Sequence, residues 1–227
     1  MIKDPLLHEL ELAFFGTITA SVSHELNNIL SIINEYSGLL DDLILAESKG
    51  KPIEKVRIQK IALNIAEQIK RQRDIIKLLN RFAHRVDVPI AQFNLNELVN
   101  DIIKLSQRFA SLRRISLEAS IPEVSINITN SPFSIQYVIF ACLKLAIDFS
   151  NPHDSITTQI EKEESLVKIN IKCQPIDNNE QTEQKLEAIS LISKNIGVKM
   201  ITALINDKSQ CILLSIPLSI PDEVRDN

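Results

Sequence analysis

Between Pro5 and Ser48 apolar residues recur at Phe15, Ile18, Val22, Leu26, Ile29, Ile33, Tyr36, Leu40 and Leu43, with gaps of three and four throughout. That heptad-like stripe predicts one helix of roughly 44 residues, about 66 Å long at 1.5 Å per residue, a length that belongs to a bundle or coiled coil. Helix punctuation follows in "ESKGKPIEK", where Gly50 can end one helix and Pro52 can open the next. A second helix is expected to run to about Arg85, with a stripe at Ile58, Ile61, Ile65, Ile69, Ile76, Leu79 and Ala83 that Gln72 interrupts. The two helices should form an antiparallel hairpin. One hairpin covers each stripe incompletely, so two of them about a twofold axis, a dimeric four-helix bundle, are the economical arrangement.

The pattern changes at "VDVPIAQFNLNEL", where Pro89 ends the helical periodicity, so the chain divides into a helical hairpin over 1–88 and a second domain over 89–227. There "FNLNELVNDIIKLSQRFASLRR" reads as an amphipathic helix capped by Asn94. Strand-like runs "ISLEASI" and "VSINIT" precede a largely apolar helix, "SIQYVIFACLKLAIDFS". Two strands, "SITTQIE" and "SLVKINIKC", a helix, "EQKLEAISLISKNIG", and a final strand pair, "VKMITALI" and "QCILLSIPL", complete the series. The expected architecture is an α/β sandwich of the α+β class, with helices on one face of a mixed sheet. The terminal "PDEVRDN" is expected to fray.

Composition narrows the function. The 227 residues are 44% hydrophobic, enough for real cores, and a net charge of -4 provides no electrostatic footprint for nucleic acid or an anionic membrane. Cys142, Cys173 and Cys211 are too few and too scattered for a disulfide framework or a thiolate metal site; they read as buried free thiols of a reducing compartment. No apolar run approaches the ~20 residues that span a bilayer, and "MIKDPLLHEL" lacks a signal-peptide core. The expected location is the cytoplasm.

One residue stands apart from this bland picture. On a helical wheel His24 lies near 200° from Val22, opposite the buried stripe, so its imidazole faces solvent. Thr17, Ser21, Asn28, Ser31 and Glu35 all fall within roughly 60° of it, which sets the histidine in a strip of mainly small polar residues that a partner can reach. A neutral imidazole is a nucleophile near pH 7, and a carboxylate on its second nitrogen would fix the tautomer and stabilise developing charge. Glu25, the next residue, could serve. His8, His84 and His153 have no such surroundings and read as solvated surface histidines.

The stretch "SHELNN" resembles the H-box of two-component histidine kinases, and the succession of long helix, helical return, "LLNRFAHR" and "FNLNELVND" resembles that family's passage from dimerisation and phosphotransfer domain to ATP-binding domain. The resemblance implies His24 as phosphoryl acceptor, Glu25 as its acidic neighbour and Asn28 as the polar residue that can position water for dephosphorylating a response regulator. Ile29 stands where a proline is common, so the helix should run straight here. The nucleotide-binding parts are missing. Ala141 and Leu145 occupy the positions of the family's asparagines, the loop "QPIDNNEQT" contains no glycine, Gly197 caps a helix, and Asp177 without its glycines reads as a loop acid. The combination is similar to dimeric histidine phosphotransferases built like degenerate kinases. It implies a relay of phosphoryl groups between receiver domains, those of a response regulator and of a hybrid histidine kinase, through His24. No cofactor is expected on this chain, and the Mg2+ that phosphoryl transfer needs would come with the receiver. A response-regulator phosphatase and a non-catalytic pseudokinase scaffold are the rival classes.

Overall fold

The computed structural model describes residues 5–177, 179–206 and 209–219; the terminal segment expected to fray lies outside them. The chain forms two compact units, one spanning Phe15–Arg81 and the other comprising the residues up to Phe14 together with those from Phe82 onward.

The first unit is built from most of α1 (Pro5–Ser48) and α2 (Lys55–His84), whose outer ends up to Phe14 and from Phe82 belong to the second. Helix α1 runs unbroken through Ile29, as expected without a proline there. It ends in a Schellman motif: Gly50 takes φ +83°, its N–H donates to Glu47 O at 2.8 Å, and Lys51 N–H donates to Ala46 O at 3.1 Å. A side chain at that φ would be strained, which is why glycine ends the helix. Glu25 and Arg71 form an ion pair across the two helices, which therefore run antiparallel. Charge assists the pairing, since α1 carries acidic residues and no lysine or arginine whereas α2 carries eight basic and two acidic side chains.

The predicted stripe of α1 is buried or half-buried along its length. That of α2 is displaced. Ile61 is buried and Ile65 and Leu79 are half-buried, but Ile58, Ile69 and Ile76 are exposed, while Ile75 is half-buried and Leu78 and Phe82 are buried instead. The reason lies in two interleaved sets at helical spacing. Residues 61, 65, 68, 72, 75, 79 and 82 face inward, and 58, 62, 69 and 76 follow a second line along the flank. The isoleucines mark both lines, so periodicity alone merged them.

In the second unit β1 (Ala91–Asn94) pairs antiparallel with β3 (Asn127–Asn130), a small separate sheet that the sequence reading had not distinguished. The main sheet has the order β2-β4-β5-β7-β6, formed by β2 (Ser116–Ser120), β4 (Ser155–Lys162), β5 (Leu166–Cys173), β6 (Lys199–Asn206) and β7 (Ser209–Pro217). Strands β2 and β4 are parallel and the other pairs antiparallel, giving a mixed sheet. Alternation decides which face is covered: Ile156, Thr158, Ile160, Val167, Ile169, Ile171, Ile212, Leu214 and Ile216 are buried, and the residues alternating with them are not. Helices α3 (Leu95–Leu112), α4 (Pro132–Phe149) and α5 (Glu180–Asn195) cover that face. Asn94 caps α3 as expected, accepting from Asn96 N–H at 2.9 Å and Glu97 N–H at 3.4 Å. Ser131 caps α4, whose first residue is Pro132.

Phe14 seals this unit against α4, with ring centroids 5.0 Å from Phe140, 5.5 Å from Tyr137 and 5.3 Å from Phe82. Beside the cluster, Arg85 donates to buried Asp101 at 2.8 Å and to Gln136 at 2.7 Å, so the buried carboxylate is paired. Among the described residues α4 alone is long and apolar enough to cross a membrane, contrary to the expectation of no such run; 78% of it is buried as the core helix of this unit.

Candidate functional site

Helix α1 presents His24 to solvent. Thr17, Asn28, Ser31 and Glu35 are exposed on the same side, Asn28 one turn beyond the imidazole. Ser31 donates its hydroxyl to Asn27 O at 3.0 Å, so its side chain folds onto its own helix and adds little bulk beside the histidine. Ser21 departs from expectation: it is only 8% exposed. It sits at the limit of the strip, about 60° from His24 and next to the half-buried Ile32 on the wheel, so it belongs to the flank of the buried stripe.

Glu25, next to His24 in sequence, pairs with the second helix. Successive helical residues diverge by about 100°, and the carboxylate turns toward α2, where Arg71 holds it. The glutamate is 26% and the arginine 55% exposed. Arg71 was missed by sequence reasoning because nothing in its local pattern sets it apart. The available signal was long-range: 25 and 71 lie at comparable distances from the turn at Gly50.

Of the two positions where the resemblance implies asparagines, Ala141 is half-buried and Leu145 is buried. Helix α5 packs on α4. Leu145 is 2% exposed, and Ile189 and Ile192 of α5 are buried. Charged residues nearby are engaged with each other: Lys144 lies 2.5 Å from Asp148, which also draws Arg113 to 3.7 Å and Lys185 to 3.8 Å, tying α3, α4 and α5 together. Helix α5 starts at Glu180, inside the stretch expected as loop, so only residues 174–179 connect it to β5. Asp177 is exposed there, while Ile176 N–H donates to Gln210 Oε1 at 2.9 Å and Asn179 caps the helix by accepting from Thr182 N–H at 3.0 Å. Gly197, at φ +69°, closes a second Schellman motif, with Val198 N–H donating to Ser193 O at 2.8 Å.

Other chemistry-bearing groups are quiet. Burial pushes the Cys142 and Cys173 thiols up to about 12, with a neighbouring thiol adding to each, so neither is a nucleophile at neutral pH. Burial does the same to the Tyr137 hydroxyl, up to about 12. His8 is exposed, His84 pairs with exposed Asp87 at 2.9 Å, and His153 occupies a turn at φ +75°.

No family model matches the chain. The sensor protein DegM of Bacillus sp. (strain B21-2) is 21% identical over 224 residues, covering 92% of this chain and 56% of its own, so the chain spans about half the length of that curated relative. Among solved structures, the nucleotide-free catalytic domain of histidine kinase ThkA aligns with a TM-score of 0.52 at 16% identity, over 59% of this chain and 100% of that one. Another nucleotide-free crystal form of the same domain aligns with a TM-score of 0.52 at 18% identity, again over 59% and 100%. The likeness is one of fold and covers part of the chain: its α/β domain resembles histidine-kinase catalytic domains.

Proposed function

We propose that this histidine-kinase-like chain is a histidine phosphotransferase of a two-component phosphorelay, which carries phosphoryl groups on His24 and does not draw them from ATP. The observation that carries the reading is Leu145, buried at 2% exposure where the resemblance calls for a nucleotide-site asparagine, in a chain whose H-box histidine is exposed. A buried leucine offers no amide to a metal-bound phosphate, and the glycine-poor connection at 174–179 offers no backbone cradle.

The donor is an aspartyl phosphate on a receiver domain. A ring nitrogen of neutral His24 attacks phosphorus; the P–N bond forms, the P–O bond to aspartate breaks, and the aspartate leaves as a carboxylate. The second ring nitrogen keeps its proton, and a carboxylate placed beside it stabilises the charge on the ring. The reverse sequence delivers the group to a second receiver. The partners of this reading are the receiver domains of a response regulator and of a hybrid histidine kinase, each bringing the Mg2+ that its own acidic pocket holds. The acting form is a homodimer, supported by Leu30 and Ile44 on α1 and Ile58, Ile69 and Ile76 on α2, which stay exposed in the single chain.

Labelled ATP with magnesium should leave the protein unlabelled, whereas a labelled phospho-receiver should pass its label to His24 in an acid-labile, base-stable form. His24→Ala should abolish that transfer. Autophosphorylation by ATP would overturn the reading. Asn28, exposed one turn from His24, favours a second reading as a response-regulator phosphatase. Receiver dephosphorylation that survives His24→Ala and is lost in Asn28→Ala would establish that alternative.

A further inference from the structure

The H-box contains no cation, yet a phosphoryl group in transfer carries negative charge on three oxygens that must be met by positive charge or hydrogen bonds. Helix α1 cannot provide the charge, for it carries no lysine or arginine along its whole length. A cation reaches this stretch of α1 from α2: Arg71, whose guanidinium is bound to the carboxylate of Glu25, the residue adjoining His24. More than half of the Arg71 side chain remains exposed, and a guanidinium has five N–H donors, so one ion pair leaves donors to spare.

We propose that Arg71 is the phosphoryl-binding cation of the His24 site, parked on Glu25 until a phosphoryl group arrives. This assignment rests on the phosphotransfer reading. A dianionic phosphoryl group competes with a single carboxylate for the same fork of donors, and a guanidinium matches phosphate oxygens in bidentate geometry. Moving Arg71 onto the phosphoryl oxygens releases Glu25, which is then free to turn toward the second imidazole nitrogen. The ion pair thus holds both groups beside the histidine in the resting chain, and the incoming phosphate exchanges their partners.

Phosphoramidate tests this without a protein partner: the imidazole attacks phosphorus, a new P–N bond forms, the bond to the amino nitrogen breaks, and ammonia leaves. Full-length parent, Arg71→Gln, Arg71→Lys and His24→Ala would be compared for acid-labile, base-stable label over a range of donor concentration. Losing one charge-assisted contact should slow Arg71→Gln by about tenfold or more, mainly through a higher half-saturating donor concentration, while Arg71→Lys, which keeps the charge, should stay within about threefold of the parent. Both variants should melt with the parent, because the pair is largely exposed. Labelling of Arg71→Gln at the parent rate, or an equal loss in both variants, would overturn the role of Arg71 alone. An unlabelled parent, or label that survives His24→Ala, would overturn the phosphotransfer reading and this assignment together.

Discussion

At the scale of single residues, three buried side chains make sharp predictions. Cys142 and Cys173 keep their protons up to about pH 12 in the folded chain, whereas an unfolded chain ionises thiols from their ordinary 9.0. Their contribution to stability is therefore complete below pH 9 and lost progressively as the pH rises from 9 toward 12. Thermal melts across that window should show a falling midpoint, and Cys142→Ala should flatten the fall. Leu145 tests the proposal that phosphoryl groups do not come from ATP. Leu145→Asn removes methyl groups from a packed site and buries an amide without a partner, at a cost on the order of 3 kcal/mol. Denaturant unfolding should register that loss, and calorimetric titration with ATP and magnesium should register no binding in return. Heat of nucleotide binding by the parent chain would refute that proposal.

At the scale of elements, α1 and α2 each bear more apolar surface than one antiparallel neighbour covers. On α1, Ile33 is half-buried on the inner stripe and Glu35 is exposed on the opposite side. A charge at the seam is costly, so Ile33→Asp should dissociate or unfold the hairpin bundle, while Glu35→Ala should leave both helicity and assembly unchanged. Circular dichroism and sedimentation read the two outcomes, and equal losses in both variants would refute the face assignment. Helix ends were plain from sequence because their signals are local: Gly50 before Pro52 and Asn94 before an apolar run act through their own backbone and the next turn. The inward line of α2 was not plain, since isoleucines at two overlapping spacings satisfy both an inner and an outer line, and only the placement of α1 chooses between them.

At the scale of the whole molecule, assembly and partner docking follow from what the single chain leaves uncovered. Ile69, at 44% exposure, and Ile76 continue along α2 as an apolar flank that a second hairpin would bury, so light scattering at micromolar concentration should give twice the 25.6 kDa of one chain. A monomeric mass would remove the bundle proposal while leaving the fold of each unit intact. A receiver domain delivering its aspartate to His24 needs the exposed strip clear. Ser31→Trp, placed on that strip, should block transfer without altering the melt, whereas substitution of buried Ser21 would disturb packing instead.

Period and punctuation in the sequence were sufficient for the two long helices, the order of the later strands and helices from β2 onward, the α+β class and the exposure of His24, because each depends on neighbours within a few turns; the four-residue β1 was not among them. Tertiary structure alone decided the pairing of Glu25 with Arg71, the burial of Ser21, the separation of β1 and β3 into their own sheet, and the aromatic seal of Phe14 on α4. Each of these joins residues distant in sequence, and a helix with apolar residues on more than one line, or a four-residue strand, carries no local mark of which distant surface will meet it.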